Sequence, residues 1–501
     1  MGSYVIALDQ GTTSSRAVIF DEQAKIVAMK SFEFEQIYPK PGWVEHDPSS
    51  ILNTQVDALR EAVKMSGIPV ENIAAIGITN QRETTLIWDR RTGQPVYNAI
   101  VWQCRRTAPI VQQLCKEGLE NHIREVTGLV PDAYFSGTKI AWLLHTLGLQ
   151  DKAKRGELCF GTVDSFLAWH LIHGHPHVTD ATNASRTMLF DIVRNEWDET
   201  LLSALDIPKE ILPRVVDTSG VIGMLDPEIL GREIPVAAMS GDQHSALFGQ
   251  GCFEPGMMKN TYGTGCFLLM NTGEEKVTSK NGLVSTIAWR LNGKCSYALE
   301  GSVFVAGAAI QWLRDEMKLI ERASETETIA RSIPDAGGVY LVPTFTGLGA
   351  PYWDMYSRGT IVGLTRGTGR AHIVRAALES IAYQSTDLVK AMASDSSCEP
   401  KELRVDGGAS ANNFLMQFQS DILNIRVIRP AVIETTALGA ALLAGLATGI
   451  WKSLDEVKGI WREDLSLEPS MNEEKRSELL KGWHRAVERS MKWIEPDGES
   501  Q

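Results

Sequence analysis

The feature that most constrains this chain is a strand–turn–strand pattern at its start, which returns in a weaker form after the midpoint. Residues 4–8 form a continuous apolar run, as expected of a strand buried on both faces. Residues 9–15 (DQGTTSS) supply turn-forming side chains, and the apolar run resumes at 16–20. Residues 258–269 repeat the order of strand, Gly/Thr turn and strand. Two related halves that meet near residue 250 are therefore predicted.

Helices and strands alternate along the rest of the sequence, which indicates the α/β class. A third strand is predicted near 26–32, a helix over 48–65 and a strand over 73–79. At about 150 residues per domain, the 501 residues correspond to roughly two to four domains. A chain of this length in which 44% of residues are apolar can bury its cores without disulfides or metal ions.

Charge and cysteine content argue against several classes of protein. The chain has 62 acidic and 49 basic side chains and a net charge of −13, which is unfavourable for binding nucleic acid. Its seven cysteines are scattered and form no C-x-x-C pair, so neither a disulfide framework nor a zinc ribbon is expected. The first residues do not resemble a signal peptide, and the apolar run 437–450 is too short to cross a bilayer. A cytoplasmic protein without membrane insertion is predicted.

Three Gly/Thr/Ser turns are candidate phosphate-binding elements. They lie at 9–15, 261–265 (TYGTG) and 406–413 (DGGASANN), and the chain has neither a Walker A motif nor a G-x-G-x-x-G motif after a strand. Glycine allows close backbone approach, and exposed amides and hydroxyls donate to phosphate oxygens. Each turn alone is more often a hairpin or a helix cap, but three in separate regions favour a phosphate site. Asp9, at a strand end, is a candidate ligand of Mg²⁺, which takes few carboxylates and keeps several waters.

Further candidate side chains follow predicted strands. Asp242 comes after the apolar run 234–239 and is placed to act as a general base, although a helix N-cap is the commoner role for a lone aspartate. Arg82 and Glu83 follow the strand 73–79. They form either an adjacent donor and acceptor suited to a polyol or a solvated turn.

An aromatic residue and a predicted helix complete the set. Trp102 lies among polar residues in 102–106 (WQCRR), a composition found both in sugar-like sites and at core edges. On the helix predicted over 305–320, Gly307 and Gln311 are four residues apart, where a small residue admits either a flat ligand or a neighbouring helix. Four histidines lie at 170, 173, 175 and 177, and His173 and His175 bracket Gly174 in a predicted loop, so a solvated turn is favoured over a metal site.

Taken in order, these motifs resemble the FGGY carbohydrate kinase family, and within it the glycerol kinases. The resemblance extends nearly from end to end. It implies a two-domain actin/hexokinase/Hsp70-like ATPase fold made of duplicated ribonuclease H-like domains. Residues 1–250 would form the N-terminal domain with the glycerol and phosphate contacts, and 251–501 the C-terminal, nucleotide-binding domain. The motifs are LDQGTTS at 8–14, PGWVEHD at 41–47, TNQRET at 79–84, WQCRR at 102–106, GDQ at 241–243 and the segment 359–379.

The same resemblance implies a reaction, ATP-dependent phosphorylation of glycerol to sn-glycerol 3-phosphate in a cleft between two domains, as part of glycerol catabolism. Asp242 would be the general base, and Asp9 and Asp242 would lie near Mg²⁺. The residues that would bind glycerol are Arg82, Glu83, Trp102, Tyr134, Asp242, Gln243 and Phe267. The residues that would contact ATP are Thr12, Thr13, Ser14, Arg16, Thr264, Gly307, Gln311, Gly408 and Asn412.

Two alternatives are weighed against this interpretation. Another FGGY sugar kinase, for xylulose, ribulose or gluconate, is disfavoured by the motifs at 80–84 and 102–106. A non-catalytic actin-like nucleotide-binding protein is disfavoured because it would not need both Asp9 and Asp242. The expected partners are therefore glycerol and ATP, without nucleic acid, in a homodimer or homotetramer.

Overall fold

Residues 2–494, the part of the chain that the computed structural model describes, contain 23 strands, of which thirteen form one mixed sheet and ten form five two-stranded sheets. The segment 496–501, which the sequence predicts to be frayed, lies outside the described residues. The strands are β1 (Tyr4–Gln10), β2 (Ser14–Phe20), β3 (Ile26–Glu33), β4 (Glu45–His46), β5 (Ile73–Asn80), β6 (Leu86–Asp89), β7 (Ala99–Ile100), β8 (Leu158–Gly161), β9 (Val178–Asp180), β10 (Phe190–Asp191), β11 (Glu196–Trp197), β12 (Arg214–Val216), β13 (Ser219–Met224), β14 (Pro235–Gly241), β15 (Met257–Tyr262), β16 (Cys266–Gly273), β17 (Val284–Leu291), β18 (Lys294–Val303), β19 (Tyr340–Val342), β20 (Thr360–Val362), β21 (Glu402–Asp406), β22 (Arg426–Pro430) and β23 (Glu463–Leu467).

Helices cover the sheet and fill the connections between strands. They are α1 (Pro48–Ser66), α2 (Ala108–Lys116), α3 (Glu120–Thr127), α4 (Ser136–Thr146), α5 (Gln150–Lys154), α6 (Val163–Leu171), α7 (Ala181–Ala184), α8 (Glu199–Ala204), α9 (Pro227–Leu230), α10 (Asp242–Gly249), α11 (Gly307–Asp315), α12 (Glu325–Arg331), α13 (Arg370–Ser396), α14 (Asn413–Leu423), α15 (Thr435–Thr448), α16 (Leu454–Ile460) and α17 (Glu473–Ser490). Among residues 2–494, none of these helices combines the length and the apolar character needed to cross a membrane.

The strand pairing of the first half is repeated in the second. β1 pairs with β2 in antiparallel and with β5 in parallel, and the sheet continues from β2 to β3 and from β5 to β14. In the second half, β15 pairs with β16 in antiparallel and with β21 in parallel, and the sheet continues to β18 and β22. The predicted α/β fold with two related halves is confirmed by this repeat.

Local sequence explains where the first elements begin and end. The central residues of β1 are buried, in agreement with its unbroken apolar run. Helix α1 begins after Asp47, whose carboxylate accepts hydrogen bonds from the amides of Ser49 at 3.0 Å and Ser50 at 3.2 Å. Pro48 occupies the first helical position, where its missing N–H costs nothing.

Two predicted helices are shorter in the structure. The helix predicted over 305–320 is α11, Gly307–Asp315, and the chain leaves the helical conformation before Lys318, which has a φ of 54°. The spacing of Leu480, Trp483, Val487, Met491 and Ile494 predicts a last helix over about 474–494. In the structure this helix ends at Ser490, and beyond it the amide of Ile494 donates to the carbonyl oxygen of Tyr356 at 3.1 Å. In both cases the last apolar residue of the spacing lies beyond the helix end and is exposed, Met317 at 44% and Ile494 at 38%.

Candidate active site

The carboxyl ends of three parallel strands bring the first group of candidate residues together. In the register of the sheet, Asp9 of β1 lies beside Thr79 of β5, and Asn80 of β5 lies beside Gly241 of β14. The residues that follow β5 and β14 therefore meet next to Asp9 at one edge of the sheet. This is the edge at which open α/β sheets bind ligands.

Asp242 is the first residue of α10, and the N-cap is Gly241. The alternative that Asp242 serves as the helix cap is therefore wrong by one position. Its side chain is 31% exposed, and its Oδ1 lies 3.1 Å from Arg82 Nε and 2.7 Å from the amide nitrogen of Gln243. Oδ2 has only a weak contact with Gln243 Nε2 at 3.4 Å, so this oxygen is available to accept a proton.

Arg82 and Glu83 belong to a buried ionic cluster, which rules out a solvated turn. The cluster also contains Arg186 and Glu300, and all four residues are at most 4% exposed. Arg82 Nη1 and Nη2 donate to the two carboxylate oxygens of Glu300 at 2.6 and 3.0 Å. Arg186 donates from Nη2 to Glu300 Oε1 at 3.1 Å and from Nε to Glu83 Oε1 at 2.7 Å.

Burial and paired charges act in opposite directions within this cluster. Burial alone would raise the pKa of Glu300, but the nearby guanidinium groups of Arg186 and Arg82 outweigh it and hold that pKa well below its ordinary value. At Glu83 burial dominates, and its pKa is raised. Glu83 also has a left-handed backbone with a φ of 60°, and its carbonyl oxygen accepts from Ser136 Oγ at 3.1 Å and Lys139 Nζ at 3.2 Å. The polar site is thus built on strained, tightly bonded backbone.

Two of the three predicted aromatic contacts lie side by side. The rings of Trp102 and Tyr134 are half-buried and meet edge to face, with their centroids 5.6 Å apart. The guanidinium carbon of Arg186 lies 5.7 Å from the centre of the Tyr134 ring. Phe267 lies on β16 opposite Thr261, and within residues 2–494 it makes no ring contact with Trp102 or Tyr134.

The first Gly/Thr turn is a tight hairpin between β1 and β2. The amide of Gly11 donates to the carbonyl oxygen of Ser14 at 2.9 Å, and Thr13 is exposed at the tip. Thr12 Oγ1 accepts a hydrogen bond from the indole Nε1 of Trp102 at 3.1 Å. Arg16 extends from β2, where it contacts the carboxylate of Glu434.

Asp9 is a buried carboxyl group surrounded by other charges. Burial raises its pKa from 3.8 to about 6, Arg16 opposes this rise, and Asp242 and Glu434 add to it. The closest cationic atom is Arg16 Nη1, 4.0 Å from Asp9 Oδ2. Asp242 is therefore close enough to raise the pKa of Asp9, although Arg82 pairs with Asp242 at 3.1 Å.

The remaining candidate residues for nucleotide binding line a cavity in the second half of the molecule. The cavity has a volume of about 430 Å³ and includes Thr264, Gly307, Gln311, Gly408 and Asn412 in its lining. Asn412 also caps α14, because its Oδ1 accepts from the amide of Leu415 at 3.0 Å. The second and third Gly-rich turns, far apart in sequence, thus meet at one cavity.

Gly407 allows this meeting of the two turns. It has a φ of 83°, and a Cβ atom there would lie 2.6 Å from the carbonyl oxygen of Tyr262 at the end of β15. Any side chain would separate the two turns.

Several buried polar residues at the site escape sequence reasoning. Lys259 follows two methionines in β15 and Glu300 follows Ala298 and Leu299 in β18, and a charge directly after apolar strand residues is the signal that could have found them. Lys259 Nζ contacts Gln243 Oε1 and Thr261 Oγ1, the latter at 3.0 Å. Arg186 follows the buried helix α7, where nothing in the local sequence marks a site.

Comparison with known proteins assigns the class of this molecule. Residues 4–249 match the N-terminal domain of the FGGY family of carbohydrate kinases, and residues 258–448 match the C-terminal domain of that family. The chain belongs to the FGGY family of carbohydrate kinases.

Individual relatives are more specific. A glycerol kinase from Caldanaerobacter subterraneus subsp. tengcongensis is 60% identical over 496 residues, which cover 99% of this chain and 100% of the relative. The crystal structure of Plasmodium falciparum glycerol kinase with ADP is similar with a TM-score of 0.93 and 40% identity, covering 99% of both chains. A gluconate kinase from Lactobacillus acidophilus has a TM-score of 0.86 over 98% of both chains, but at 23% identity it shows the fold alone.

Proposed function

We infer that the protein transfers the γ-phosphoryl group of ATP to glycerol and forms sn-glycerol 3-phosphate and ADP. The observation that carries this inference is the 60% identity to a glycerol kinase over 99% of the chain. The site agrees chemically, since buried charged groups beside two aromatic rings suit a small polyol with an apolar carbon chain. A gluconate kinase and a xylulose kinase, two classes of the alternative interpretation, share only the fold at 23% and 24% identity.

Asp242 is the proposed general base. Its Oδ2 would accept the proton of the terminal hydroxyl of glycerol while that oxygen bonds to the γ-phosphorus and the bond to the leaving ADP oxygen breaks. Arg82 Nε, 3.1 Å from Oδ1, holds the carboxylate in one orientation. Most of the rate enhancement in phosphoryl transfer comes from such positioning and from charge neutralisation.

Glycerol is proposed to lie between the ionic cluster and the aromatic rings. Its hydroxyl groups would bond to polar side chains, and two aromatic side chains would flank its carbon atoms. Glu83 has Oε2 free for this purpose, because Arg186 occupies Oε1. The proposed glycerol contacts are Arg82, Glu83, Tyr134, Asp242 and Gln243, with Trp102 and Phe267 as the flanking residues.

ATP is proposed to extend from the turn between β1 and β2 into the cavity of the second half. Its phosphates would contact Thr12, Thr13, Ser14 and Arg16 on one side and Thr264 on the other. Its remaining part would occupy the cavity of about 430 Å³, bordered by Gly307, Gln311, Gly408 and Asn412. The two domains are proposed to be residues 1–250 and 251–501. The protein is proposed to be a cytoplasmic homodimer or homotetramer.

The carboxylates of Asp9 and Asp242 fit a magnesium ion. Residues 2–494 contain no cluster of three or more His, Cys, Asp or Glu side chains able to hold a metal by themselves. Mg²⁺ does not require one, because it binds one or two carboxylates and completes its shell with phosphate oxygens and water. An ion bound there would neutralise charge on the phosphates during transfer.

The reaction is tested by measuring ADP release from Mg-ATP with glycerol, xylulose, ribulose, gluconate or no acceptor. We expect release only with glycerol and a 3-phosphate product by NMR. Turnover only with a larger sugar would reject glycerol as the substrate. If no acceptor increased the release of ADP, a non-catalytic nucleotide-binding protein would be favoured.

The same assay on Asp242→Asn tests the proposed base. We expect turnover to fall by at least about 10²-fold while ADP binding remains. Asp226→Asn, which retains a helix-capping side chain outside the site, is the matched control and should keep full activity. Unchanged turnover in Asp242→Asn would remove this residue from the mechanism.

A further inference from the structure

Glu300 occupies the centre of the ionic cluster, where it binds both arginines. It lies near the end of β18 in the second half of the chain, whereas Arg82 and Arg186, which it binds, come from the first half. Its Oε1 accepts from both arginines, at 3.0 and 3.1 Å, and its Oε2 accepts from Arg82 at 2.6 Å. Three hydrogen bonds from the two arginines therefore hold this carboxylate.

Each arginine bound by Glu300 turns a second nitrogen toward a carboxylate proposed to face glycerol. Arg82 Nε lies 3.1 Å from Asp242 Oδ1, and Arg186 Nε donates to Glu83 Oε1 at 2.7 Å. A guanidinium group is planar, so a two-point contact with Glu300 fixes the direction in which Arg82 Nε–H points. The position of Glu300 therefore determines the geometry of two carboxylates that it does not touch.

Charge as well as geometry requires an acid at this position. Arg82 and Arg186 are buried next to each other, and two like charges in a medium of low polarity repel strongly. The negative charge of Glu300 between them offsets this repulsion. With a neutral side chain there, the arginines would separate and pair more closely with Asp242 and Glu83, which would then be less free to meet glycerol.

We propose that Glu300 is a positioning residue that acts through Arg82 and Arg186 to hold Asp242 and Glu83 in the geometry for phosphorylating glycerol. This proposal rests on the proposed function of the same site. It also gives the second half of the chain a direct part in shaping the acceptor site, through a residue that contacts neither substrate.

The test compares Glu300→Gln with Glu402→Gln. Glu402 is a matched control because it is also a buried carboxylate held by two arginines, Arg404 at 2.7 Å and Arg426 at 2.6 Å, at the start of β21. Both variants lose a buried ion pair and should lose a similar amount of thermal stability. We expect only Glu300→Gln to lower kcat about 10- to 100-fold and to raise KM for glycerol, while KM for ATP changes less than about 2-fold.

A variant Glu300→Gln with the Tm loss of Glu402→Gln but with wild-type kcat and KM for glycerol would overturn the proposal. If Glu300→Gln fails to fold, Arg186→Lys provides the second test. This variant keeps the positive charge but loses the planar guanidinium group that binds both Glu300 and Glu83. We expect Arg186→Lys to raise KM for glycerol several-fold with KM for ATP unchanged, and an unchanged KM for glycerol would also overturn the proposal.

The two proposals fail in different ways. The proposed function fails if the wild-type protein does not phosphorylate glycerol. The role of Glu300 fails if the wild-type protein phosphorylates glycerol and the variants do so equally well.

Discussion

Asp164 is a fully buried carboxylate near the start of α6. Its oxygens accept hydrogen bonds from Thr162 Oγ1 and from Thr179 Oγ1, the latter at 2.7 Å. Burial raises its pKa from 3.8 to about 6, and the neighbouring Asp180 adds to the rise. These bonds do not compensate for the loss of water around the charge.

This pKa gives a pH-dependent prediction for Asp164→Asn. Between pH 4 and 6 the folded wild type retains a proton that the unfolded chain has released, so the contribution of Asp164 to the free energy of unfolding falls as pH rises. A shift of about two pKa units corresponds to at most about 3 kcal/mol. The amide carries no such charge, so the Tm of the variant relative to wild type should rise from pH 5 to pH 7.5. A Tm difference that is constant over this range would contradict the burial-driven shift.

Single residues also show where sequence reasoning reaches its limit. Arg82 and Glu83 look alike in sequence whether they form a solvated turn or a buried pair, because their partners Arg186 and Glu300 are distant in the chain. In the predicted solvated turn, His175 is exposed but its ring stacks on Trp169. Pairing across long sequence separations determines the site, and residue type alone does not.

Helices α10 and α15 cross at glycines beside the active site. A Cβ atom on Gly439 of α15 would lie 1.8 Å from the carbonyl oxygen of Ser245 in α10. A Cβ atom on Gly249 of α10 would likewise lie 2.1 Å from the carbonyl oxygen of Thr435. The two backbones are therefore in contact, and α10 begins at Asp242.

We expect Gly439→Ala to reduce the free energy of unfolding by at least about 2 kcal/mol, because the added methyl group forces these helices apart. Gly459→Ala is the control. It lies in α16, where a Cβ atom meets no heavy atom within 4 Å, and its stability should change by less than about 1 kcal/mol. Denaturant unfolding measures the free energy of unfolding of both variants. Equal values for the two variants would show that α10 and α15 can move apart at little cost.

Many of the strands and helices could be predicted from the sequence. Apolar runs locate β1, β5 and β14, and Asp47-Pro48 locates the start of α1 because its capping chemistry is local. The end of α11 could not be predicted, since apolar spacing continues after the backbone turns at Lys318. Local chemistry therefore predicts where elements begin better than where they end.

In the whole molecule, the ion pair between Arg16 and Glu434 connects the two halves near the turn at 9–15. Arg16 comes from β2, and Glu434 directly precedes α15. Both side chains are partly exposed, at 29% and 26%. Arg16 is a proposed phosphate contact, so a phosphate group arriving there competes with the carboxylate of Glu434.

We therefore expect Glu434→Gln to bind ATP more tightly in the absence of Mg²⁺. Removing a negative charge and releasing Arg16 should lower Kd about 3- to 10-fold, corresponding to about 1 kcal/mol. Calorimetric titration measures this change. Glu254→Gln, which removes an exposed carboxylate paired with Lys401 and Lys458, should leave Kd unchanged. Weaker binding by Glu434→Gln would show instead that Glu434 orients Arg16 for phosphate.

The hydrogen bond from the Trp102 indole to Thr12 joins a proposed glycerol contact to the turn at 9–15, which is proposed to bind phosphate. A ligand that shifts the indole changes the environment of the Thr12 hydroxyl, and a phosphate that engages Thr12 changes the environment of the indole. Thermodynamic linkage makes this influence reciprocal, so glycerol must alter the affinity for ATP by the same factor by which ATP alters the affinity for glycerol. A cell that accumulates one substrate thereby adjusts how readily the enzyme takes up the other.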